Sequence, residues 1–307
     1  HRQSSAASDV YKRQMLRQFI IIIAVFLFST SAAKQWVEVN SSEIREPQIT
    51  FESNGLSLIE ISFELPGYFI KPSKDGLIIT APGGVSMLKE GNPDLPIFTT
   101  SIQIPDLAKM ELEMISSDYV DLEIENIAPS KGNITRNINI SSIPFRKGST
   151  YNNNSFYPKN ISYLRSPYII RTKRGQAVVF QPFQYNPVKK ILRIHTNILV
   201  KVKANGISTD NPLVRTPSKN RGEREMEEIY NRHFLNNVPT NDRYTPTDEN
   251  GAMLIICYGP FIDAMQPFID WKTKKGMHVE LYDVNEIGDA ADIKTFVEDY
   301  YYSNGIN

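Results

Sequence analysis

The chain has 307 residues, of which 41% are apolar, and its 34 lysines and arginines balance 34 aspartates and glutamates. No basic excess points to nucleic acid as a partner, and the single cysteine, Cys257, excludes an internal disulfide framework. The length leaves room for two domains, whose stability must come from packing.

The first 33 residues predict an export signal. Residues 1–14 precede a methionine and show no pattern of their own, so we interpret them as upstream translation or an expression scar. From Met15 onward, a basic residue, an apolar run of about ten residues and a small-residue stretch have the order of a signal peptide. We therefore predict a signal peptide over residues 15–33 with cleavage after Ala33, because a membrane-spanning helix needs about 20 apolar residues.

Residues 34–206 show the alternation that is typical of a β-rich domain. Asn186-Pro187 is a turn dipeptide, which predicts a hairpin between the apolar run before it and the strand after it. That strand puts His195 and other polar residues on one face and, on the opposite face, Leu192, Ile194, Thr196, Ile198, Val200 and Val202. Shorter runs between turn residues continue the pattern, so a sandwich-like multi-strand domain is the predicted fold.

Residues 207–243 differ in character, because prolines and charged residues become frequent. One helix is predicted from Glu223 to Leu235, and its apolar stripe consists of Met226, Ile229, Tyr230 and Phe234. We interpret the segment as a basic linker. Its exposed arginines make it a target for a trypsin-like protease, and they are Arg215, Arg221, Arg224, Arg232 and Arg243.

Residues 244–307 predict the order strand, helix, strand, helix. The first helix ends in a lysine-rich turn before Gly276, which suits the left-handed position that follows many helices. Pro267 predicts that this helix starts late or bends. Because a parallel sheet is normally covered on both faces, we expect these residues to begin a larger α/β domain that continues beyond Asn307.

Several motifs resemble the gingipain-type cysteine peptidases, which are clan-mates of the caspases. Tyr244 opens a Tyr-Thr-Pro sequence directly after Arg243, as the mature domain of that family follows an arginine. The first helix carries the family's pattern at Ile269, Asp270, Trp271, Lys272 and Gly276. Upstream, a stretch similar to the family's propeptide includes Gly91, Pro93, Leu95, Pro96, Ile104 and Pro105. The resemblance implies a β-rich propeptide followed by the start of a caspase-like α/β catalytic domain.

The resemblance also implies a role for each part of the chain. Arg243–Tyr244 is expected to be the activation bond of a secreted cysteine endopeptidase zymogen, whose propeptide inhibits the enzyme and assists its folding. The family's nucleophilic cysteine and its histidine come later in sequence, so we expect the catalytic pair beyond residue 307 and expect this chain to be inactive. Cys257 ends an apolar strand and is interpreted as a buried thiol. Surface or boundary positions are predicted for His195, His233 and His278.

No metal-ligand spacing occurs in the sequence. An acidic run lacks the spacing of an EF-hand, so helix capping is the preferred explanation for Asp283, Glu286, Asp289 and Asp292. Calcium is suggested only by analogy with the family, and no other cofactor is expected. The expected partners are protein substrates, the propeptide's own catalytic domain and an export machinery such as the type IX route.

A non-catalytic surface protein, or one associated with type IX secretion, is the alternative with the same layout. The two alternatives differ downstream: a His-Gly pair followed by a cysteine at the end of a strand indicates a peptidase. Without that pair, a scaffold is indicated.

Overall fold

Strands make up most of the chain before Ile207, and strands alternate with helices after Met253. The computed structural model describes residues 33–214, 224–237 and 252–304. Its strands, in chain order, are β1 (Gln35–Glu38), β2 (Gln48–Ser53), β3 (Leu58–Glu64), β4 (Gly67–Ser73), β5 (Gly76–Thr80), β6 (Val85–Ser86), β7 (Pro96–Gln103), β8 (Ala108–Glu123), β9 (Ser162–Leu164), β10 (Tyr168–Ile170), β11 (Lys173–Phe180), β12 (Phe183–Asn186), β13 (Ile191–Ile207), β14 (Met253–Cys257) and β15 (Val279–Asp283). Its helices are α1 (Arg224–His233), α2 (Ile262–Lys274), α3 (Val284–Ile287) and α4 (Ala290–Asn304).

The strand β13 is the centre of the largest sheet. On one side it pairs antiparallel with β8 along its whole length, from Ile191 opposite Glu123 to Ile207 opposite Ala108. On the other side it pairs first with β12 and then with β3, and β2 lies outside β3. The β12–β13 pairing confirms the hairpin predicted from Asn186-Pro187.

A second sheet packs against the first through aromatic side chains. Its order is β10-β11-β7-β6, and β9 also pairs with β11. Phe63, on β3, has its ring centre 5.0 Å from that of Phe180 on β11 and 5.3 Å from that of Phe98 on β7. All three rings are buried, so apolar burial holds the two sheets together. The predicted β-rich, sandwich-like domain is confirmed.

A smaller sheet of order β1-β4-β5 contributes Tyr68, Ile70 and Ile79 to the same core. Tyr68 on β4 is fully buried, and its ring lies 5.3 Å from that of Phe183 on β12, in an edge-to-face arrangement. Burial raises the pKa of Tyr68 well above its usual value, because the phenolate is not solvated there. The contact joins the small sheet to the central one.

A buried arginine near the start of β11 joins the segment around Pro105 to the segment around Asp210. Arg174 has no exposed surface, and its guanidinium donates to four backbone carbonyls. The donor–acceptor distances are 2.7 Å from Nε to Asn211 O, 2.8 Å from Nη2 to Asp210 O, and 3.0 and 2.6 Å from Nη1 to Pro105 O and Ala108 O. Burial lowers the pKa of Arg174, whereas the charges of Asp210 and Asp106 favour its protonated form.

The residues after Met253 form the beginning of a parallel α/β arrangement. The strands β14 and β15 pair in parallel from Met253 opposite Val279 to Cys257 opposite Asp283, with α2 between them in sequence. This confirms the predicted order of strand, helix, strand and helix. Pro267 lies inside α2, which begins at Ile262, so of the two predicted alternatives, a late start or a bend, the late start is wrong.

The end of α2 follows the predicted capping geometry. Gly276 has a φ of 86°, and its N–H donates to Thr273 O at 2.9 Å while Met277 N–H donates to Lys272 O at 3.2 Å. These two bonds satisfy carbonyls that the helix leaves without intrahelical donors. A left-handed residue is required at this position, and glycine adopts that conformation without a steric penalty.

Candidate activation region

The segment of residues 224–237, called here the docked segment, lies on the β-rich domain rather than apart from it. It contains α1 and the four residues that follow, and its buried apolar side chains are Tyr230 and Phe234. Ile229, which sequence periodicity placed on the same stripe, is 48% exposed. The predicted helix is confirmed, and it includes residues that pack on the sheet within the segment predicted as a linker.

Tyr230 anchors the helical part of the docked segment. Its side chain is 2% exposed, and its hydroxyl lies 3.0 Å from Thr172 Oγ1 and 3.3 Å from Ile170 O. The ammonium of Lys173 lies 4.5 Å from the centre of the ring, which is within the range of a cation–π contact. The tyrosine therefore combines apolar burial with satisfied polar contacts.

Phe234 anchors the docked segment just after the helix ends. Its ring lies over Gly175 of β11, where an added Cβ would come within 2.5 Å of Phe234 Cε1. The ring of Tyr168 stacks on it at 6.4 Å, and the Tyr168 hydroxyl lies 2.7 Å from His233 Nε2. A glycine is required at residue 175 because the aromatic ring occupies the position of a side chain.

Backbone bonds extend this attachment to the edge of β7. Leu235 N–H donates to Ser101 O at 2.8 Å. Asn236 is 3% exposed, and its side chain bonds both backbone groups of Gln103: Oδ1 accepts from the N–H at 2.7 Å and Nδ2 donates to the carbonyl at 2.9 Å. The side chain of Asn236 thus makes the two hydrogen bonds that a neighbouring strand would make to Gln103 at this edge of the sheet.

A largely buried charge pair adds to these contacts of the docked segment. Lys173 Nζ lies 3.2 Å from Glu227 Oε1 and 2.6 Å from Asn237 Oδ1, and the side chains of Lys173 and Glu227 are 7% and 20% exposed. Removing one partner of a pair with so little exposed surface costs more than removing one partner of an exposed pair. Lys173 of β11 therefore contacts both the first turn of α1, at Glu227, and the residue Asn237 that follows the helix.

The predicted activation bond, Arg243–Tyr244, lies outside the described residues, between Asn237 of the docked segment and Met253 at the start of β14. Residues 1–32 are also outside them, and Ala33, the predicted signal-cleavage position, is an exposed residue ahead of β1. The sequence did not indicate Lys173, Gly175 or Asn236, because neither their spacing nor their residue type differs from that of ordinary strand and turn positions.

The only cysteine, Cys257, lies at the end of β14. It is half-buried, whereas the sequence predicted a buried thiol. Its Sγ lies 3.6 Å from the backbone oxygen of Tyr258. The described histidines have other partners: His195 bonds Ser117 and Gln184, His233 bonds Tyr168, and His278 bonds Glu280. The described residues thus pair no imidazole with this thiol, which is the pairing that thiolate catalysis requires.

His195 is buried, so the prediction of a surface or boundary position is wrong for this residue. It is 5% exposed, with Nδ1 2.7 Å from Ser117 Oγ and Nε2 2.9 Å from Gln184 Oε1. Burial, with a smaller contribution from the nearby charge of Arg193, lowers the pKa of His195 to about 4. Side chains from both neighbouring strands, β8 and β12, contact His195 on this face, and a pattern within one strand does not reveal such contacts. His233 and His278 are exposed, as predicted.

The acidic run caps helices, as predicted. Asp283 Oδ1 accepts from Asn285 N–H at 2.9 Å at the start of α3. Asp289 Oδ1 accepts from Ala291 N–H at 2.7 Å, and Asp292 Oδ2 accepts from Asp289 N–H at 3.0 Å, which is a reciprocal capping arrangement. Glu286 lies in the first turn of α3. In residues 33–214, 224–237 and 252–304, no three histidine, cysteine, aspartate or glutamate side chains are grouped so as to hold a metal ion.

None of the helices in the described part of the chain is both long and apolar enough to cross a membrane.

Comparisons with known proteins match the two parts of the chain to two parts of one family. Residues 40–236 match the family model Propeptide_C25, and residues 246–306 match the model of peptidase family C25. Gingipain R2 of Porphyromonas gingivalis is 32% identical over 300 residues, which cover 95% of this chain and 40% of that protein. Gingipain R1 of the same organism is 34% identical over 271 residues, covering 85% of this chain and 27% of that protein. The chain therefore spans well under half the length of these relatives.

A solved complex of the pro- and mature domains of RgpB from Porphyromonas gingivalis contains a chain similar to this one. The sequence identity is 34% and the TM-score is 0.57, and the match covers 62% of this chain and 99% of that chain.

Proposed function

Since the chain belongs to peptidase family C25, with a propeptide followed by the start of a peptidase domain, we propose that it is the N-terminal part of a secreted cysteine endopeptidase zymogen. Its β-rich domain inhibits the peptidase domain and assists its folding, and proteolysis after Arg243 removes it. The observation that carries this proposal is the position of Arg243–Tyr244 in the short interval between the two family matches, 40–236 and 246–306.

The docked segment supports this assignment of the border. Its anchors Phe234 and Asn236 lie at the end of the propeptide match, which is residue 236, and they contact the β-rich-domain residues Gly175 and Gln103. Cleavage after Arg243 therefore leaves the docked segment on the propeptide. The peptidase domain then begins at Tyr244, ahead of β14.

We assign the catalytic thiolate and imidazole to residues that follow Asn307 in the full precursor. Cys257 lacks an imidazole partner among the described residues, and the chain covers 40% of the length of Gingipain R2. Protein substrates bind to that later part of the precursor, and the chain without it is inactive. The signal peptide of residues 15–33, cleaved after Ala33, directs the precursor to the export machinery and then to the cell surface or medium, and the type IX route is the candidate.

Replacement of Arg243 tests the activation bond. In the full-length precursor, Arg243→Ala should abolish the mature N-terminus at Tyr244, as read by N-terminal sequencing of the secreted product. The matched control is Arg232→Ala, which removes another arginine of the same region and should leave that N-terminus unchanged. Continued formation of the Tyr244 N-terminus in Arg243→Ala would refute the assignment.

An inhibition assay tests the role of the β-rich domain separately. A polypeptide of residues 34–243 should slow a mature gingipain-type peptidase at micromolar concentration, because the similar solved chain forms a complex with its mature domain. The control is the same polypeptide unfolded by heat before mixing. No inhibition by the folded polypeptide would contradict the proposed inhibitory role.

A further inference from the structure

Arg232 combines an exposed side chain with a restrained backbone. Its side chain is 83% exposed, so a protease that recognises arginine side chains can reach it. Its backbone, however, lies in the last turn of α1, and the next residue but one, Phe234, is 3% exposed. Exposure of the side chain and accessibility of the peptide bond therefore differ at this residue.

A peptidase cleaves a bond that enters its cleft as a segment of locally unfolded chain, so a helical bond must first open. When opening and closing are fast, the rate of cleavage follows the population of the open form. Opening around Arg232–His233 requires separation of the contacts on both sides of the bond. On the N-terminal side these involve Glu227 and Tyr230, and on the C-terminal side Phe234 and Asn236.

We propose that the docked segment excludes the Arg232–His233 bond from the sites at which the precursor is processed. It protects Arg232–His233 from arginine-directed peptidases, so cleavage of this region falls on other arginines. This inference rests on the proposed zymogen function, and it adds how one arginine among several is spared.

The placement of the anchors gives this protection a consequence for maturation. A cut after Arg232 would leave residues 233–243 on the peptidase domain, including Phe234 and Asn236. These two side chains bind β11 and β7 of the propeptide. Such a product would remain attached to the propeptide through them, whereas a cut after Arg243 leaves all the anchors on the propeptide side.

Limited trypsin digestion of the whole chain tests the proposal, with mass spectrometry used to quantify peptides that end at Arg232. A synthetic peptide of residues 226–237 gives the rate for the unprotected bond. We expect the wild-type chain to be cut after Arg232 at least 100-fold more slowly than this peptide. A wild-type rate within threefold of the peptide rate would overturn the proposal.

Two variants locate the source of the protection. Gly175→Ala places a Cβ 2.5 Å from Phe234 Cε1 and 2.8 Å from the ring of Tyr168, which stacks on Phe234, and it leaves the cleaved sequence unchanged. Asn236→Ala removes both bonds to Gln103. Each should speed cleavage after Arg232 at least tenfold. Ile229→Ala, a truncation of a side chain that is 48% exposed on the same helix, is the matched control and should match wild type.

Circular dichroism of each variant shows whether it still folds. If one variant is unfolded, the other is used for the comparison with wild type. Equal protection in wild type and both folded variants would show that docking is not its cause, and would overturn the proposal. The Arg243→Ala experiment is independent, because it reports on the Tyr244 N-terminus whether or not Arg232 is protected from trypsin.

Discussion

Replacement of Arg174 by methionine should destabilise the β-rich domain more than any change of an exposed cation. Arg174 bonds four carbonyls from a fully buried position. Methionine fills similar space without donors. Because the acceptors belong to the backbone, no compensating apolar substitution is available for them, in contrast to a buried pair of side chains.

The size of the effect follows from the acceptors. Pro105 O also accepts from Ala108 N–H at 3.4 Å, and Asp210 O also accepts from Ser208 Oγ at 3.0 Å, so the loss is greatest at Ala108 O and Asn211 O. A buried carbonyl left without its donor costs about 1–3 kcal/mol, which gives a total of about 4 kcal/mol for two. For a domain of this size, that loss lowers Tm by about 10 °C.

Urea unfolding followed by circular dichroism measures this loss of unfolding free energy. Lys189→Met, which removes an exposed cation, should stay within about 0.5 kcal/mol of wild type. Arg174→Lys keeps the charge but not the planar arrangement of donors, so its stability should lie between those of wild type and Arg174→Met. A stability of Arg174→Met within about 1 kcal/mol of wild type would refute the reasoning from unsatisfied carbonyls.

Three further perturbations test the local chemistry. The pKa of His195 is about 4 in the folded chain and about 6.5 when unfolded, so the unfolded state binds more protons between these values and stability falls as pH falls from 6.5 to 4. In urea titrations, the titration of His195 should lower the free energy of unfolding by about 3 kcal/mol between pH 6.5 and pH 4. In His195→Gln, the free energy of unfolding should fall by that much less over the same interval. Equal pH dependence of the two proteins would contradict burial of the neutral ring. Asp289→Ala should weaken the start of α4 by about 1 kcal/mol, read as faster amide exchange at Asp292, while Asp289→Asn should exchange like wild type. Gly276→Ala should speed amide exchange in the last turn of α2 about fivefold, because alanine is strained at a φ of 86°, and an unchanged rate would exclude that strain.

Local periodicity predicted the elements whose neighbours repeat the same pattern. The residues of β13 alternate strongly enough to predict the strand, and Asn186-Pro187 predicts its partner, because a hairpin depends only on residues that are close in sequence. The caps at Gly276 and Asp289 were predictable for the same reason. Each one satisfies backbone groups within a few residues of itself.

Contacts between distant residues were beyond such prediction. His195 is polar and occupies the predicted polar face, and its burial there depends on side chains of neighbouring strands, such as Ser117 and Gln184. Similarly, the charge density around α1 indicates a linker, whereas its docking depends on Gly175 and Gln103, which lie far away in sequence. These interactions are tertiary, and no repeat or spacing in one sequence encodes them.

The central position of β13 sets an order of events during synthesis. Its partner β3 ends at Glu64 and its partner β8 at Glu123, yet β13 itself is finished only at Ile207. Until the ribosome has passed that residue, β3 and β8 each have an unpaired edge that can pair with the wrong strand. The central sheet is nevertheless complete before residues 246–306 are made, so the first strand of the peptidase domain emerges beside a finished surface.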